Sequence, residues 1–198
     1  MNKTIDFIIV NYESFDLADL LVKSIFKYTK PYKYHIYLVD NSDQEELFLK
    51  GNYSNFTYLK GDNNVPQKGF PSQISSAHSH GLQKGLTKGN GEYVCFLDVD
   101  TCFLNMWTDH IIPYLDKNLF ISHRWEEHRK IARPQFLITK RSHCKEFNTG
   151  DSNYITPYYP HSFTSRDKNK DAIIIAVTFG GDVRRSLKEM YWMGKNMI

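Results

Sequence analysis

The chain has 198 residues, of which 41% are hydrophobic and 15% aromatic, and this composition fits one globular domain with a full core. General disorder is thereby excluded. With 25 Lys and Arg against 22 Asp and Glu, the charge is too mild to require a nucleic-acid partner, although it leaves one open.

Predicted strands and helices alternate through the first half of the chain. In order they are a strand at 5–10, a helix at 15–28, strands at 34–40 and 56–60, a helix at 71–86 and an apolar strand ending at Asp98. Helices between successive strands are typical of a parallel sheet with crossover connections. The pattern therefore predicts an α/β fold, in which ligands bind beyond the carboxyl ends of the strands.

The helix at 15–28 is predicted from apolar spacing. Ser14 or Asp16 is available as its N-cap. The face predicted to pack on the sheet consists of Leu17, Leu20, Leu21, Ser24, Ile25 and Tyr28.

Polar residues follow three of the predicted strands. They are Asn11, Tyr12 and Glu13 after the first strand, Asp40 and Asn41 after the second, and Asp98 and Asp100 after the fourth. Each one alone is explained by a turn that ends a strand. Because the carboxyl ends of parallel strands lie at one edge of the sheet, their joint placement favours a binding site there.

The segment GEYVCFLDVDT sets two carboxylates one residue apart, Asp98 and Asp100. In an extended chain both side chains would point to the same side, and a divalent cation that prefers oxygen ligands would relieve their repulsion. The alternative is an aspartate turn that terminates the strand.

Three segments, IDFIIVNYES, HIYLVDNSD and HGLQKGLTKGNGEYVCFLDVDT, together resemble the successive blocks of the GT-A fold glycosyltransferases, especially family 2. The resemblance covers about half of the chain. It implies a Rossmann-like α/β sandwich with a mostly parallel central sheet and helices on both faces. It further implies one domain, 1–198, with a nucleotide-sugar half at 1–104 and an acceptor half at 105–198.

The resemblance also implies roles for individual residues. The donor-binding set is Asn11, Tyr12, Glu13, Asp40, His80, Lys84, Asp98 and Val99. The metal, Mn²⁺ or Mg²⁺, would be held by Asp98 and Asp100 and by a later histidine, for which His161 is the candidate. Glu13 stands where the family often has Asn, and His80 with Gln83 replaces a segment that usually contains Arg and Asn. These departures leave the donor sugar open.

The second half of the chain is rich in aromatic and basic residues, which suits an acceptor site but also suits a core. The aromatic candidates are Trp107, Trp125, Tyr154, Tyr158, Tyr159 and Trp192. The basic residues between Arg124 and Lys145 are Arg124, Arg129, Lys130, Arg133, Lys140, Arg141 and Lys145. They predict a local positive patch or a solvated face, and the patch leaves peripheral membrane contact open.

The catalytic base is predicted in the last third of the chain. The segment RPQFLITKRSHCKEFNTGD is predicted to form a strand, a helix and a loop, and the apolar strand that opens DAIIIAVTFGGD is followed by Gly180, Gly181 and a predicted helix. Inverting enzymes of the resembled family place a carboxylate near such a helix start, which points to Asp182, with Asp151 as the next candidate. A helix N-cap is the alternative role for Asp182.

The three cysteines, Cys95, Cys102 and Cys144, have no metal-ligand spacing and are expected to be reduced. The short apolar N-terminal stretch is not a signal peptide, so a cytoplasmic location is expected.

The predicted function is transfer of a sugar from a nucleotide-diphosphate donor, a UDP-sugar first, to a hydroxyl of a glycan, a lipid-linked or another acceptor, with inversion. The alternatives are a nucleotidyltransferase and a sugar-nucleotide or polyanion binding module without turnover.

Overall fold

The structure is a computed structural model that describes residues 3–43, 53–61, 71–116, 120–122, 125–126, 131–132, 135–144 and 176–178. In these ranges no helix combines the length and the apolar character needed to cross a membrane.

The first half contains the elements that build the site. They are β1 (Thr4–Asn11), α1 (Phe15–Tyr28), β2 (Lys33–Asp40), β3 (Phe56–Lys60), α2 (Pro71–Lys88), β4 (Tyr93–Asp98) and β5 (Thr101–Phe103). The remaining described elements are α3 (Thr108–Ile111), a 3₁₀ helix (Ile112–Asp116), β6 (Phe120–Ser122), β7 (Trp125–Glu126), β8 (Ile131–Ala132), β9 (Phe136–Lys140), a 3₁₀ turn (Arg141–His143) and β10 (Ala176–Thr178).

Six strands form the central sheet in the order β3-β2-β1-β4-β9-β6. The first four are mutually parallel, whereas β9 runs antiparallel to both β4 and β6. The predicted α/β fold with a mostly parallel sheet is therefore confirmed, with one reversed strand that the alternating pattern did not predict. Two smaller pairs, β5 with β10 and β7 with β8, are antiparallel.

The helices α1 and α2 cover opposite faces of the sheet. Successive residues of β1 point alternately to these two faces, so β1 contributes to both cores. Ile5, Phe7 and Ile9 belong to the core that contains α1, and Ile8 and Val10 belong to the core that contains Leu82 and Leu86 of α2. All five β1 residues named here are at most 5% exposed. The expectation of helices on both faces is thus confirmed.

The buried face of α1 is rotated from the predicted one. Its buried residues are Ala18, Leu21, Val22, Ser24 and Ile25. Leu20, which was expected in the core, is 44% exposed. Because Ala18 and Val22 also fit a helical stripe with Leu21 and Ile25, spacing alone did not decide between the two faces.

Trp107 lies in the core rather than at an acceptor surface. Its side chain is 0% exposed, and its ring stacks on Phe103 with centroids 5.0 Å apart. The indole Nε1–H donates to Thr29 Oγ1 at 3.3 Å, which satisfies the buried donor. Four of the other aromatic candidates, Tyr154, Tyr158, Tyr159 and Trp192, lie outside the described residues.

A partly buried ion pair between Arg141 and Asp6 lies at the amino ends of β1 and β4. Arg141 Nη2 donates to Asp6 Oδ2 at 2.7 Å, and the same oxygen accepts from the backbone N–H of Gly91 at 2.6 Å. Arg141 also donates to the carbonyl oxygens of Leu86 and Gly91. One guanidinium thus connects the end of β9 with β1, α2 and the start of β4, at the opposite end of the sheet from the strand termini where ligands are expected.

Candidate functional site

The order in which the strands are connected reverses between β1 and β4. From β1 the chain continues to β2 on one side, and it returns by way of α2 to β4 on the other side. Such a switch point opens a crevice at the carboxyl ends of the two strands. In the register of the sheet, Val10 pairs with Asp98 and Asn11 pairs with Asp40, so the predicted residues of three strands meet at this edge.

A buried hydrogen-bond network centred on Asp40 forms one side of the crevice. Asp40 Oδ1 accepts from Asn11 Nδ2 at 3.0 Å and from the N–H and hydroxyl of Ser42 at 3.1 and 2.6 Å. Asp40 Oδ2 accepts from the Tyr58 hydroxyl at 2.6 Å. Because the carboxylate is 0% exposed, these donors supply the stabilisation that a buried charge needs.

The loop after β1 is held by the same network. The backbone N–H of Glu13 donates to Ser42 Oγ at 2.7 Å, and Glu13 has a φ of 49°, in the left-handed region that a glutamate rarely adopts. Ser14 occupies the N-cap position of α1, but its hydroxyl donates to the Tyr12 carbonyl instead of capping the helix. Strained backbone that the surroundings hold in place is found frequently at binding sites.

Two lysines line the β2–β3 side of this edge. Lys60 Nζ donates to the Ser42 carbonyl at 2.6 Å, and Lys84 Nζ donates to the Lys60 carbonyl. Lys84, a predicted donor-binding residue, therefore contacts the end of β3. Gly61 follows directly, and its N–H donates to the Asp40 carbonyl.

The turn between β4 and β5 forms the other side of the crevice. Asp98 is the last residue of β4, and Val99 and Asp100 form a turn before β5, so the chain does not stay extended through both aspartates as expected. The Gln135 carbonyl accepts from the Asp98 N–H at 3.3 Å and from Thr101 Oγ1 at 2.8 Å. These two bonds attach the turn to the residue that precedes β9.

The carboxylate of Asp100 is partly buried and lacks, among the described residues, a hydrogen-bond donor for one of its oxygens. Burial, with a smaller contribution from the negative charge of Asp98, raises the pKa of Asp100 to about 6. Its Oδ1 atom is buried and accepts no hydrogen bond from the described part of the chain. A buried oxygen acceptor without a donor, beside a second carboxylate, is a position that a cation would stabilise.

The donor set fits an oxygen-preferring divalent cation that is shared with a ligand. Within the described ranges no group of three or more His, Cys, Asp or Glu side chains is close enough to hold a metal ion. Two carboxylates leave most positions of a six-coordinate ion such as Mg²⁺ to substrate oxygens and water, which is how this ion is usually bound beside phosphates. The third predicted ligand, His161, lies outside the described residues.

His78 is a residue at this edge of the sheet that the sequence analysis did not single out. Its Nε2 atom lies 3.3 Å from Asp98 Oδ1, whereas His80, the predicted donor-binding histidine, is exposed. The sequence does hold a signal: His78, Gly81 and Gly85 recur at helical spacing and so share one stripe of α2. Glycines along one stripe of a helix indicate that the helix approaches another element closely. This stripe therefore predicts the face of α2 that contacts the sheet.

The structure therefore brings together part of the predicted set. Asn11 and Asp40 are in contact. Asp98 ends β4 on the other side of β1 from Asp40, and Val99 and Asp100 form the turn that follows. Tyr12 is partly buried at the same edge. Both predicted catalytic carboxylates, Asp151 and Asp182, lie outside the described residues.

Comparison with known proteins gives limited likenesses. No family model matches the sequence. Over 55 residues the chain is 42% identical to the methylphosphonate synthase of Nitrosopumilus maritimus (strain SCM1), which covers 25% of this chain and 12% of that protein. A solved structure of a mannosyltransferase from Pyrobaculum calidifontis, in complex with GDP-Man and Mn²⁺, aligns with 72% of this chain and 46% of that chain at 16% identity and a TM-score of 0.47. The chain thus spans less than half of either protein.

The two sides of the crevice offer different chemistry. The Asp40 side presents a rigid network of amide and hydroxyl groups beside the partly buried Tyr12 ring. The Asp98 side presents carboxylate oxygens. An aromatic and polar side suits a nucleobase, and an acidic side suits a metal-bound phosphate, so the groups at the two sides match the two parts of a nucleotide.

Proposed function

We propose that this protein is a metal-dependent glycosyltransferase that moves a sugar from a nucleotide-diphosphate donor to an acceptor hydroxyl. The observation that carries the proposal is the turn at the end of β4, where Asp98 and Asp100 lie at the β1–β4 switch point and Asp100 Oδ1 is buried without a hydrogen-bond donor from the described residues. The ordered likeness of three sequence blocks to GT-A enzymes agrees with this placement.

The nucleobase is assigned to the Asn11–Asp40 side, with Tyr12 as the stacking residue. A carboxylate accepts from the ring N–H of uracil, thymine or guanine but not from cytosine, whose N3 is an acceptor. A UDP-sugar is the donor we favour. Asp40 is 0% exposed and its oxygens already accept four hydrogen bonds, so a base N–H reaches this carboxylate only when one of the present donors, such as the Tyr58 hydroxyl, gives way.

Asp98 and Asp100 would hold Mn²⁺ or Mg²⁺ together with the diphosphate. When bound, the metal supplies positive charge that stabilises the leaving nucleoside diphosphate. The acceptor hydroxyl loses its proton to a carboxylate as it attacks the anomeric carbon, and inversion follows from direct displacement. Asp182, with Asp151 as the next candidate, is proposed for that proton transfer on sequence grounds alone, and the acceptor half is assigned to 105–198 on the same grounds.

The proposal is tested with Asp100→Asn and with Asp109→Asn, an exposed aspartate of α3, as the matched control. We expect Asp100→Asn to weaken Mn²⁺-dependent UDP binding by about tenfold or more, since metal sites lose such factors when their ligands are perturbed. The melting temperature should be unchanged or raised, because the replaced charge is one that burial disfavours. Wild-type affinity in Asp100→Asn, or loss of the fold, would contradict the assignment.

The products separate this function from its alternatives. A glycosyltransferase releases a nucleoside diphosphate from a nucleotide sugar, whereas a nucleotidyltransferase releases pyrophosphate from a nucleoside triphosphate. A binding module releases neither, although it binds. A panel of UDP-, GDP- and dTDP-sugars with Mn²⁺, assayed for free diphosphate with and without simple glycoside acceptors, decides among the three.

A further inference from the structure

The contact between His78 and Asp98 joins α2 to the turn that ends β4. His78 Nε2 lies 3.3 Å from Asp98 Oδ1, and the two side chains are 31% and 29% exposed. Both groups are thus largely covered, so the contact is not that of two freely moving surface side chains. The two atoms are at ion-pair distance, and because a carboxylate can only accept, a hydrogen bond between them has the His78 ring N–H as its donor.

The position of His78 follows from the packing of α2 on β1. A Cβ on Gly85 would lie 2.5 Å from Ile8 Cγ2, and a Cβ on Gly81 would lie 2.7 Å from Val10 Cγ2. Moving toward the amino end of α2 therefore means moving toward the carboxyl end of β1. His78 is the next residue of this stripe, beyond Val10, and Val10 is the register partner of Asp98.

The amino-terminal part of α2 is held at this edge by a second contact. The buried side chain of Asn41 donates from Nδ2 to the Ala77 carbonyl at 3.1 Å. Asn41 itself follows β2, and its N–H donates to the Asn11 carbonyl. The backbone just before His78 is therefore tied to the ends of β1 and β2, which limits the positions the imidazole can take.

We propose that His78 is a positioning residue for Asp98: its Nε2–H holds Asp98 Oδ1 and leaves the second carboxylate oxygen to the metal-diphosphate group of the donor. This inference rests on the proposed function. A carboxylate that is already fixed does not lose rotamer freedom when the ligand binds, and residues that orient metal ligands in this way commonly contribute 10–100-fold, as an order of magnitude, to metal affinity or activity.

The test compares His78→Ala, His78→Gln and His110→Ala, the last being an exposed histidine of α3. The probes are Mn²⁺ alone and Mn²⁺ with UDP, measured by titration calorimetry. His78→Ala should weaken the binding of UDP with Mn²⁺ by about tenfold. His78→Gln should recover most of that loss, because the glutamine amide can donate to the same oxygen. His110→Ala should bind as the wild type does.

A second readout is independent of donor turnover. Long-range ¹H–¹⁵N spectra should show the His78 ring with a hydrogen on Nε2, and Asp98→Asn should shift that signal while leaving the His110 signal in place. With the nucleotide sugar that supports turnover, the loss in His78→Ala should appear mainly in KM, because the fixed oxygen serves ligand binding.

The two proposals fail differently. If the wild type binds Mn²⁺ and UDP and His78→Ala binds them equally well, or if glutamine restores no more than alanine, the positioning role is overturned and the proposed function stands. If the wild type binds neither UDP nor GDP nor dTDP in the presence of Mn²⁺, the proposed function is overturned and this inference with it. If the chemical shift of the His78 Nε2 signal is the same in Asp98→Asn as in the wild type, the positioning role is also overturned.

Discussion

At the scale of single residues, Asp40 shows how a buried charge is kept in a folded protein. The Asp40 carboxylate is 0% exposed and accepts from Asn11, twice from Ser42 and from Tyr58. A buried carboxylate is tolerated only when donors replace the water that it has lost. The side chain thus fixes the end of β1, the segment that follows β2 and the middle of β3 with respect to one another.

Replacing Asp40 by Asn should lower the free energy of unfolding by about 1.5–3 kcal/mol, the range for a hydrogen bond to a charged group. The amide keeps one accepting oxygen, but the other position becomes a donor that faces the Tyr58 hydroxyl. Urea unfolding at pH 7 measures the change, with Tyr58→Phe as the matched variant that removes only one donor.

The same Asp40→Asn variant tests the base assignment. Weaker UDP binding together with lower stability is the result that both roles of Asp40 require. An Asn variant of wild-type stability and wild-type affinity for every donor would remove Asp40 from the network and from the site.

At the scale of elements, the distance between α2 and β1 decides which helix residues reach the crevice. Gly81 and Gly85 let the helix approach so closely that an added Cβ would lie under 3.0 Å from Val10 and Ile8 side-chain carbons. His78 reaches Asp98 because of this approach. Glycine is otherwise unfavourable inside a helix by about 1 kcal/mol relative to alanine, so packing outweighs helix propensity here.

Replacing Gly81 by Ala should therefore destabilise the protein despite the better helix propensity of alanine. Overpacking in a core costs about 1–3 kcal/mol, so a net loss of about 1 kcal/mol is expected. Thermal unfolding measures it, and UDP binding should weaken in parallel because α2 carries His78. The variant Val10→Ala removes the Cγ atoms that the new methyl group meets, so the double variant should lose less than the sum of the two single losses. Strict additivity would show that the helix does not rest on Val10.

The strand pair β2–β3 carries a histidine that should make stability depend on pH. Burial lowers the pKa of His35 below its ordinary 6.5, and Asp6 only partly offsets this. The unfolded chain therefore binds more protons between the two pKa values, so stability rises with pH across that window and is lost as the pH falls below 6.5.

The His35 prediction is checked by urea unfolding of the wild type and His35→Gln at several values between pH 5 and 8. The wild type should lose more stability than His35→Gln on acidification, since glutamine does not titrate. The wild type and His35→Gln both have a polar group near Thr57 Oγ1, which lies 2.7 Å from His35 Nε2 in the wild type. Parallel pH curves for the two proteins would remove His35 as the cause.

At the scale of the whole molecule, the Asp6–Arg141 pair connects segments that are 135 positions apart in sequence. Arg141 and Lys140, two residues of the predicted basic patch, are both engaged in ion pairs: Arg141 with Asp6 at 2.7 Å, and Lys140 with Asp116 at 3.2 Å. The other five basic residues of that patch lie outside the described residues. A polyanion site in this segment would therefore have to do without Arg141, which is held by three segments of the chain.

Replacing Arg141 by Met should cost about 3–5 kcal/mol of unfolding free energy, because it leaves the Asp6 carboxylate, only 1% exposed, without its cation. Lys140→Met is the neighbouring control, and it should change stability little, since its partner Asp116 is at the surface. Equal losses of unfolding free energy in the two variants would mean that the Arg141–Asp6 ion pair stabilises the fold no more than the surface pair does. Donor affinity measured on the folded fraction should be unchanged, as the pair lies at the opposite end of the sheet from the candidate site.

The order of the elements and the strand ends could be predicted from sequence because both depend on local patterns. Apolar runs of five or six residues and helical spacing marked β1, α1, β2, β3, α2 and β4. Polar residues just after strands marked Asn11, Asp40 and Asp98, and in a parallel sheet these ends must meet at one edge. His78 was not singled out because sequence does not report how closely a helix packs on a sheet, and the role of His80 stays a prediction.

The sequence by itself determined the α/β class, the mostly parallel sheet and the edge at which the candidate site lies, because periodicity and turn residues act over a few positions. Only the tertiary structure decided the reversed strand β9 between β4 and β6, the buried place of Trp107, the partner of Arg141 and the contact of His78 with Asp98. Each of these depends on groups far apart in the chain, whose meeting is set by packing and by the need to satisfy buried charges and donors.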